Sequence, residues 1–197
     1  ERNRPMPPTK KFQREDIIQT AYEIVKNEGM GDINARRIAK ELKCSTQPIY
    51  HNFNTMNELK KQVVDKIYRT YVAYMKKGEK EAKAYLGMGL SYIRFARDYP
   101  NFFKVLFMTE SGMSPTAFIQ SDDTGNTVLH KGQLFTGLTE EQQKVFHLKV
   151  WVFTHGIASL VATDTVEFTE IEIMELLAST TREMLMGFKH IEKQEDR

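Results

Sequence analysis

Apolar side chains recur every three or four residues along most of the chain, which is the pattern of α-helices with one buried face. The first such stripe contains Ile17, Ala21 and Val25, and Gly29 follows it as a natural helix end. No segment alternates apolar and polar residues convincingly enough to predict a strand. We therefore predict an all-α protein with roughly nine helices. The predicted helices span about residues 13–28, 35–42, 46–52, 56–77, 80–97, 100–108, 122–132, 139–163 and 168–190.

Polar residues at the starts of three helices indicate how the N-terminal part is arranged. Asn34 and Ser45 are predicted N-caps of two short helices, and Thr55 with Glu58 forms a capping box at the next one. Two short helices joined by a tight turn form a helix-turn-helix, whose second helix reads the major groove of DNA. The alternative is an ordinary helical hairpin with a solvated polar face.

The second short helix has residue types that suit base recognition. Ile49 and Phe53 lie four residues apart and are predicted to face the core. On the opposite face, Gln47 can pair with an adenine edge, and the methyl group of Thr46 suits a thymine methyl.

Other polar side chains nearby suit the DNA backbone. Tyr50 and His51 can donate to phosphates, and Arg36 can reach a base or a phosphate. Arg37 and Lys40 would add attraction that does not depend on sequence. The charge distribution agrees, because residues 1–68 hold 13 Lys and Arg against 9 Asp and Glu, whereas the remainder has a net charge of −2.

These patterns together resemble the TetR family of bacterial transcriptional regulators over about residues 13–60. Two departures from that family stand out: Lys43 replaces the usual glycine of the turn, and Met56 replaces a lysine that contacts phosphate. Lys43 is then expected in a left-handed backbone conformation. The residues that carry the resemblance are Glu28-Gly29, Ile38-Ala39-x-x-Leu42, Ser45, Ile49-Tyr50-x-x-Phe53 and Glu58-Leu59.

The resemblance implies a DNA-binding domain followed by a larger helical domain that binds an effector and dimerises. We expect a flexible basic arm over residues 1–12, a helix-turn-helix domain over 13–58, an effector-binding and dimerisation domain over 59–190, and a charged tail over 191–197. Because the side chain of Met56 cannot bind a phosphate, we expect the affinity for DNA to depend more on the basic arm. The expected DNA-binding residues are Arg36, Lys43, Ser45, Thr46, Gln47, Tyr50 and His51.

Large apolar and aromatic side chains in the second domain are candidates for lining an effector cavity. Such stripes are more often simple core, and that alternative stays open. A cavity built from them would take an apolar or aromatic small molecule. The candidate lining residues are Met75, Met88, Tyr92, Phe95, Tyr99, Phe103, Phe107, Trp151 and His155.

The last two long helices are the expected dimer surface, as a four-helix arrangement with two helices from each subunit. The alternative is that they pack only within one chain. The candidate interface residues are Val150, Thr154, Ile157, Ala158, Val161, Ile173, Leu177, Thr180, Met184 and Phe188.

Composition excludes several other classes of function. Cys44 is the only cysteine, which favours a reducing, bacterial cytoplasmic setting and excludes a cysteine-rich zinc site. The longest apolar run, about residues 150–162, is shorter than the ~20 residues that span a bilayer, so we expect no membrane contact. No metal, cofactor or catalytic motif is expected.

The sequence therefore predicts a ligand-responsive transcriptional regulator, in the first instance a repressor, that binds a pseudo-palindromic double-stranded DNA operator as a homodimer. An architectural or division-linked DNA-binding protein without a small-molecule inducer is the main alternative. An α-helical enzyme is disfavoured because the candidate cavity residues are almost entirely apolar and aromatic.

Overall fold

The computed structural model describes residues 12–81, 83–109, 135 and 137–195, and every structural statement below concerns these residues. They contain eight α-helices, one short 3-10 helix and no strand. The helices are α1 (Arg14–Glu28), α2 (Ala35–Leu42), α3 (Gln47–Asn52), α4 (Met56–Gly78), α5 (Ala84–Asp98), α6 (Pro100–Phe107), α7 (Glu140–Ala162) and α8 (Glu170–Glu195), and the 3-10 helix is Met30–Asp32.

The all-α prediction is confirmed, and most helix ends agree within a few residues. The α2 boundaries are as predicted, whereas α8 continues to Glu195 beyond the expected end near residue 190. The helix predicted over 122–132 lies outside the described residues. The chain divides into two compact units, Glu1–Ile67 and Tyr68–Arg197, and the division lies inside α4. The expected domain limits at residues 58 and 59 stay a prediction.

The N-terminal unit is a bundle of short helices around an aliphatic core. The apolar stripe of α1 is buried, and Ile38 of α2 and Ile49 of α3 are completely buried with it. Leu59 and Val63 of α4 complete this core. Since the buried faces fix how α2 and α3 are rotated, the polar residues between them are held at the surface.

Two of the three predicted helix caps are confirmed, those at Asn34 and Thr55, and the third is wrong. Asn34 caps α2, because its side-chain oxygen accepts a hydrogen bond from the amide of Arg37 at 2.9 Å. Ser45 does not cap α3: the N-cap is Thr46, whose side chain makes no capping hydrogen bond. The reason lies in the preceding turn, which keeps Ser45 outside the helix while Thr46 already has a helical backbone conformation.

The C-terminal unit is organised around α5, which packs against α6, α7 and α8. Eight of its residues are buried, including Phe95 and Ile93 with almost no exposed surface. A separate apolar cluster lies near one end of α7, where Phe135, Leu138 and Phe146 pack with Phe188 of α8.

An ion pair joins α5 to the start of α8. Both Nε and Nη2 of Arg94 donate to the two carboxylate oxygens of Glu170, at 2.8 and 2.9 Å, and Arg97 approaches the same carboxylate. These arginines, Arg94 foremost, lower the pKa of Glu170 to about 2. The two-pronged geometry fixes the direction of α8 relative to α5.

The end of α4 meets α5 through two glycines. A Cβ atom at Gly87 would lie 2.5 Å from the carbonyl oxygen of Gly78, and one at Gly78 would lie 2.4 Å from that of Gly87. Neither distance is possible for a real side chain. The two helix backbones therefore touch directly, and no larger residue fits at either position.

Helix α7 has the length and apolar composition of a helix that crosses a membrane. Core helices of soluble proteins share these features, and seven residues of α7 are buried inside the unit, where the helix packs mainly on α5. Packing against α5 thus accounts for its apolar character.

We expect Gly87→Ala to lower the free energy of unfolding by about 1–3 kcal/mol, because the added methyl must push two backbones apart. Gly187→Ala is the matched control, since a Cβ there meets nothing within 4 Å and alanine favours a helix by about 0.5–1 kcal/mol. Urea denaturation followed by circular dichroism measures both. Equal effects of the two substitutions would contradict the close contact.

Candidate nucleic-acid interface and interior cavity

Helix α3 is held by one face and open to solvent on the other. Ile49 and Phe53 are buried, whereas Tyr50 is 58% exposed and Gln47 and His51 are exposed beside it. The pyrrolidine of Pro48 occupies the first turn, where the missing amide hydrogen costs no helical hydrogen bond. The arrangement predicted for a recognition helix is therefore present.

The end of α3 is fixed by Arg14, which the sequence did not indicate. Nη1 of Arg14 donates to the carbonyl oxygen of Asn52 at 2.6 Å, and Nη2 donates to Glu58 at 2.7 Å. The guanidinium also lies 4.1 Å from the ring centre of Phe53. One side chain from α1 thus joins the end of α3 to the start of α4, and we call these contacts the Arg14 clamp.

Glu58 completes the clamp from the first turn of α4. Its second carboxylate oxygen accepts from the amide of Asn54 at 3.0 Å, and its own amide donates to the hydroxyl of Thr55 at 3.1 Å. The Arg14 hydrogen bond, followed by the Asn54 amide, lowers the pKa of Glu58. The predicted Thr55 cap is confirmed, although Glu58 reaches back to Asn54 rather than to Thr55.

The turn between α2 and α3 contains the expected left-handed residue. Lys43 has φ 53° and ψ 45°, and the amide of Cys44 closes the turn on the carbonyl of Ala39 at 3.0 Å. A lysine can adopt this conformation at a cost of about 1–2 kcal/mol relative to glycine. Its side chain is exposed and points away from the core.

Arg37 does not contribute the free positive charge that the sequence suggested. It forms ion pairs with Glu28 and Glu41, and its hydrogen bond to Glu28 is the main reason that the pKa of Glu28 is lowered. Two carboxylates therefore balance its charge locally. Arg36 and Lys40 are exposed on the same helix, so both remain accessible to DNA as the prediction requires.

The seven expected DNA-binding residues lie on α2, on α3 and in the turn between them. Thr46 is half-buried, and the rest are exposed: Arg36, Lys43, Ser45, Gln47, Tyr50 and His51. Each of these six side chains is therefore accessible, and none forms an ion pair with a described residue. Their assignment as DNA contacts stays a prediction.

The C-terminal unit contains a small cavity of about 50 Å³ between α4, α5 and α7, and this cavity is partly open to solvent. No Asp, Glu, Lys or Arg belongs to its lining. The lining residues are Tyr71, Met75, Tyr85, Met88, Gly89, Tyr92, His147, Val150, Trp151 and Thr154.

Four of the nine expected lining residues do line this cavity: Met75, Met88, Tyr92 and Trp151. The other five lie outside its lining and pack in an adjoining aromatic cluster: Phe95, Tyr99, Phe103, Phe107 and His155. Position along α5 explains the difference. The cavity lies beside residues 85, 88, 89 and 92, whereas residues 95 and 99 come about one and two turns later, where they pack against Tyr74 of α4.

Two tyrosine–histidine hydrogen bonds connect α5 to α7. Tyr85 Oη lies 3.1 Å from Nδ1 of His147, and Tyr92 Oη lies 2.9 Å from Nδ1 of His155. His155 also stacks on Trp151, and burial lowers its pKa. Tyr85 and His147 also line the cavity, and of these two His147 was not expected there. Tyr85 lies seven residues before Tyr92 and therefore on the same face of α5.

The ten residues expected at a dimer surface are largely used inside the chain. Six are buried and pack α7 and α8 internally: Val150, Thr154, Ile157, Ala158, Ile173 and Leu177. Four are half-buried: Val161, Thr180, Met184 and Phe188. The large apolar side chains that α7 and α8 expose are Val145, Val152, Leu160, Ile171, Leu176 and Met186.

Within the described part of the chain, no group of three or more His, Cys, Asp and Glu side chains is placed to hold a metal ion. Cys44 is partly buried, and burial raises the pKa of its thiol. A raised pKa leaves the group as the less reactive thiol rather than the thiolate.

We expect Arg14→Met to lower the stability of the N-terminal unit by about 1–3 kcal/mol, because the Asn52 carbonyl loses a charged donor and Phe53 loses its cation. The ion pair with Glu58 contributes little, since both side chains are about one-third exposed. Arg36→Met is the matched control and should change stability by less than about 0.5 kcal/mol. Hydrogen exchange of the α3 amides resolves the effect, and unchanged protection in Arg14→Met would refute the clamp.

Comparison with known proteins supports the fold. No protein-family model and no curated protein matches the sequence. The crystal structure of a TetR-like transcriptional regulator from Rhodococcus sp. RHA1 superposes with a TM-score of 0.63 over 88% of this chain and 96% of that chain, at 15% sequence identity. At that identity the likeness establishes fold and not activity. This chain therefore has the fold of a TetR-like transcriptional regulator, with an N-terminal helix-turn-helix and a helical C-terminal part.

Proposed function

We propose that this protein is a ligand-responsive transcriptional regulator that binds a specific DNA sequence as a homodimer. The observation that carries the proposal is the exposed polar face of α3, which is fixed from behind by Ile49 and Phe53 and at its end by the Arg14 clamp. A polar face that was merely solvated would need no such anchoring. Rigid presentation lowers the cost of ordering side chains against DNA.

Gln47 and Thr46 are the proposed base-reading residues, because an amide pairs with adenine and a methyl group packs on thymine. Tyr50 and His51 would donate to phosphates on either side, with Arg36 and the exposed Lys43 adding charge. The first turn of α4 would contribute little to phosphate binding. The amide of Glu58 is already bonded to Thr55, so few amides there remain for a phosphate.

A homodimer would form through α7 and α8, using their exposed apolar side chains rather than the buried set. Val152 and Leu160 lie on the outer side of α7, and Gly156 between them leaves open space for a close neighbour. Leu176 and Met186 provide the corresponding apolar positions on α8. Two copies of this pair would form a four-helix interface, and the twofold symmetry of the dimer would match a pseudo-palindromic operator.

The cavity in the C-terminal unit is the proposed effector site. Helix α4 is the proposed link to DNA binding, because its residues Tyr71 and Met75 form part of the cavity wall. An effector that favours one position of α4 would change operator affinity. Typical coupling of about 1–3 kcal/mol would weaken binding by about 5- to 150-fold. Where the operator overlaps a promoter, the bound protein would block transcription and so act as a cytoplasmic repressor.

The size of the cavity favours a second candidate. At about 50 Å³ it is far smaller than the roughly 300–1,000 Å³ of ordinary ligand sites. A DNA-binding architectural protein with no inducer would need no larger cavity. An enzyme is disfavoured by the absence of carboxylates and lysines among the lining residues.

Selection from a random duplex library tests sequence-specific binding. We expect the native protein to enrich a pseudo-palindrome and the Gln47→Ala/Tyr50→Ala variant to bind it at least about tenfold more weakly, because the variant loses a base-edge contact of Gln47, worth about 1–3 kcal/mol, and a phosphate contact of Tyr50. Tyr68→Ala is the control, because Tyr68 is 53% exposed on α4 in the other unit. Weak, equal and strongly salt-dependent binding by all three proteins would indicate that no sequence is read.

Analytical ultracentrifugation tests the dimer. Val152→Glu places a charge on the exposed stripe of α7 and should raise the dimer dissociation constant by at least about tenfold, since an unpaired charge in an interface costs several kcal/mol. Met108→Glu adds the same charge at another exposed apolar residue, outside α7 and α8, and should leave the dimer intact. Similar behaviour of the two variants would place the interface elsewhere.

A further inference from the structure

The chemistry of the cavity wall restricts what the proposed effector site can accept. Of the ten lining residues none is Asp, Glu, Lys or Arg. The two lysines of α7 have other partners: Lys144 forms an ion pair with Glu140, and Lys149 lies over the ring of Phe188. An ionised ligand would lose its hydration and gain no opposite charge, so the site selects against ions.

The wall is formed mainly by rings from three helices: Tyr71 of α4, Tyr85 and Tyr92 of α5, and Trp151 of α7. Ring edges and faces offer the contacts that a flat aromatic molecule prefers. Met75 and Met88 fill the remaining wall, and unbranched thioether side chains move aside at low cost. The cavity must grow for any ring to enter, because benzene occupies an engineered cavity of about 150 Å³.

A hydrogen bond joins two side chains that both line the cavity, whereas Tyr92, also in the lining, bonds to His155 outside it. The hydroxyl of Tyr85 is 3.1 Å from Nδ1 of His147. A hydroxyl group inserted between them accepts a hydrogen bond from one partner and donates to the other, whichever tautomer His147 adopts. A carboxylate cannot do this, because it has no hydrogen to donate. The hydroxyl of Thr154 already donates to the carbonyl of Val150 at 2.8 Å and offers no comparable site.

We infer that the effector is an uncharged, single-ring aromatic compound that carries a hydroxyl group, and that Tyr85 and His147 recognise this hydroxyl. The inference rests on the proposed effector role of the cavity. Entry of the ring displaces Met75 and presses on Tyr71, and both belong to α4. The ligand therefore acts on the helix that also carries residues of the DNA-binding unit.

Isothermal titration calorimetry with three matched probes tests the inference: p-cresol has the ring and the hydroxyl, toluene lacks the hydroxyl, and 4-methylbenzoate replaces it with a charge. We expect p-cresol to bind at least tenfold more tightly than toluene, and 4-methylbenzoate not to bind. Tyr85→Phe keeps the ring and removes only the hydroxyl, so it should abolish the preference for p-cresol over toluene. Tyr99→Phe, outside the cavity, should not change it.

Thermal unfolding of Tyr85→Phe shows whether the variant is folded, and His147→Gln, which keeps a donor and an acceptor, should retain part of the preference. Equal binding of p-cresol and toluene, tighter binding of 4-methylbenzoate, or an unchanged preference in Tyr85→Phe would overturn the inference. Binding of none of the probes would also overturn it. Operator binding measured on the same preparations separates these failures from failure of the DNA-binding proposal.

Discussion

The clamp made by Arg14 is the interaction on which the candidate DNA surface depends. Helix α3 has only six residues, which is too short to be stable alone, so its geometry must come from its neighbours. Burial of Ile49 and Phe53 sets its rotation, and the Arg14–Asn52 bond fixes its end against α1. The same guanidinium meets Glu58 in α4. The polar face of α3 is thus positioned by contacts with α1 and α4, and Arg14 orients the residues proposed to bind DNA.

A different principle organises the C-terminal unit, where aromatic rings replace ion pairs as the main contacts. Tyr71 is within 5.1–6.1 Å of the rings of Tyr92, Phe95 and Phe107, which ties α4 to α5 and α6. The two tyrosine–histidine bonds add direction to this apolar packing, since hydrogen bonds fix the register of α5 on α7. The cavity lies where these rings fail to fill the space between α4, α5 and α7.

Local signals in the sequence were sufficient for the helices and for the exposed face of α3. Periodic apolar residues located α2 to the residue, and the Asn34 cap and the left-handed Lys43 followed from rules that depend only on neighbours in the chain. Long-range contacts were not accessible in this way. Arg14 meets Asn52 across 38 residues, and Tyr85 meets His147 across 62. Burial of Thr154 and Leu177 inside the chain depends on how α7 and α8 rotate toward α5, and composition cannot show that. The helix predicted near 122–132 falls outside the described residues and stays a prediction.

The indole of Trp151, which stacks on His155, is an intrinsic fluorophore of this protein. Trp151 is the only tryptophan in the sequence, and it lies on the cavity wall with its ring centre 4.9 Å from that of His155. Burial lowers the pKa of His155 and so favours the neutral imidazole beside the indole. Because the indole belongs to the cavity wall, a molecule that enters the cavity would meet the fluorophore directly. The emission of one unmodified side chain would therefore report whether the cavity is occupied.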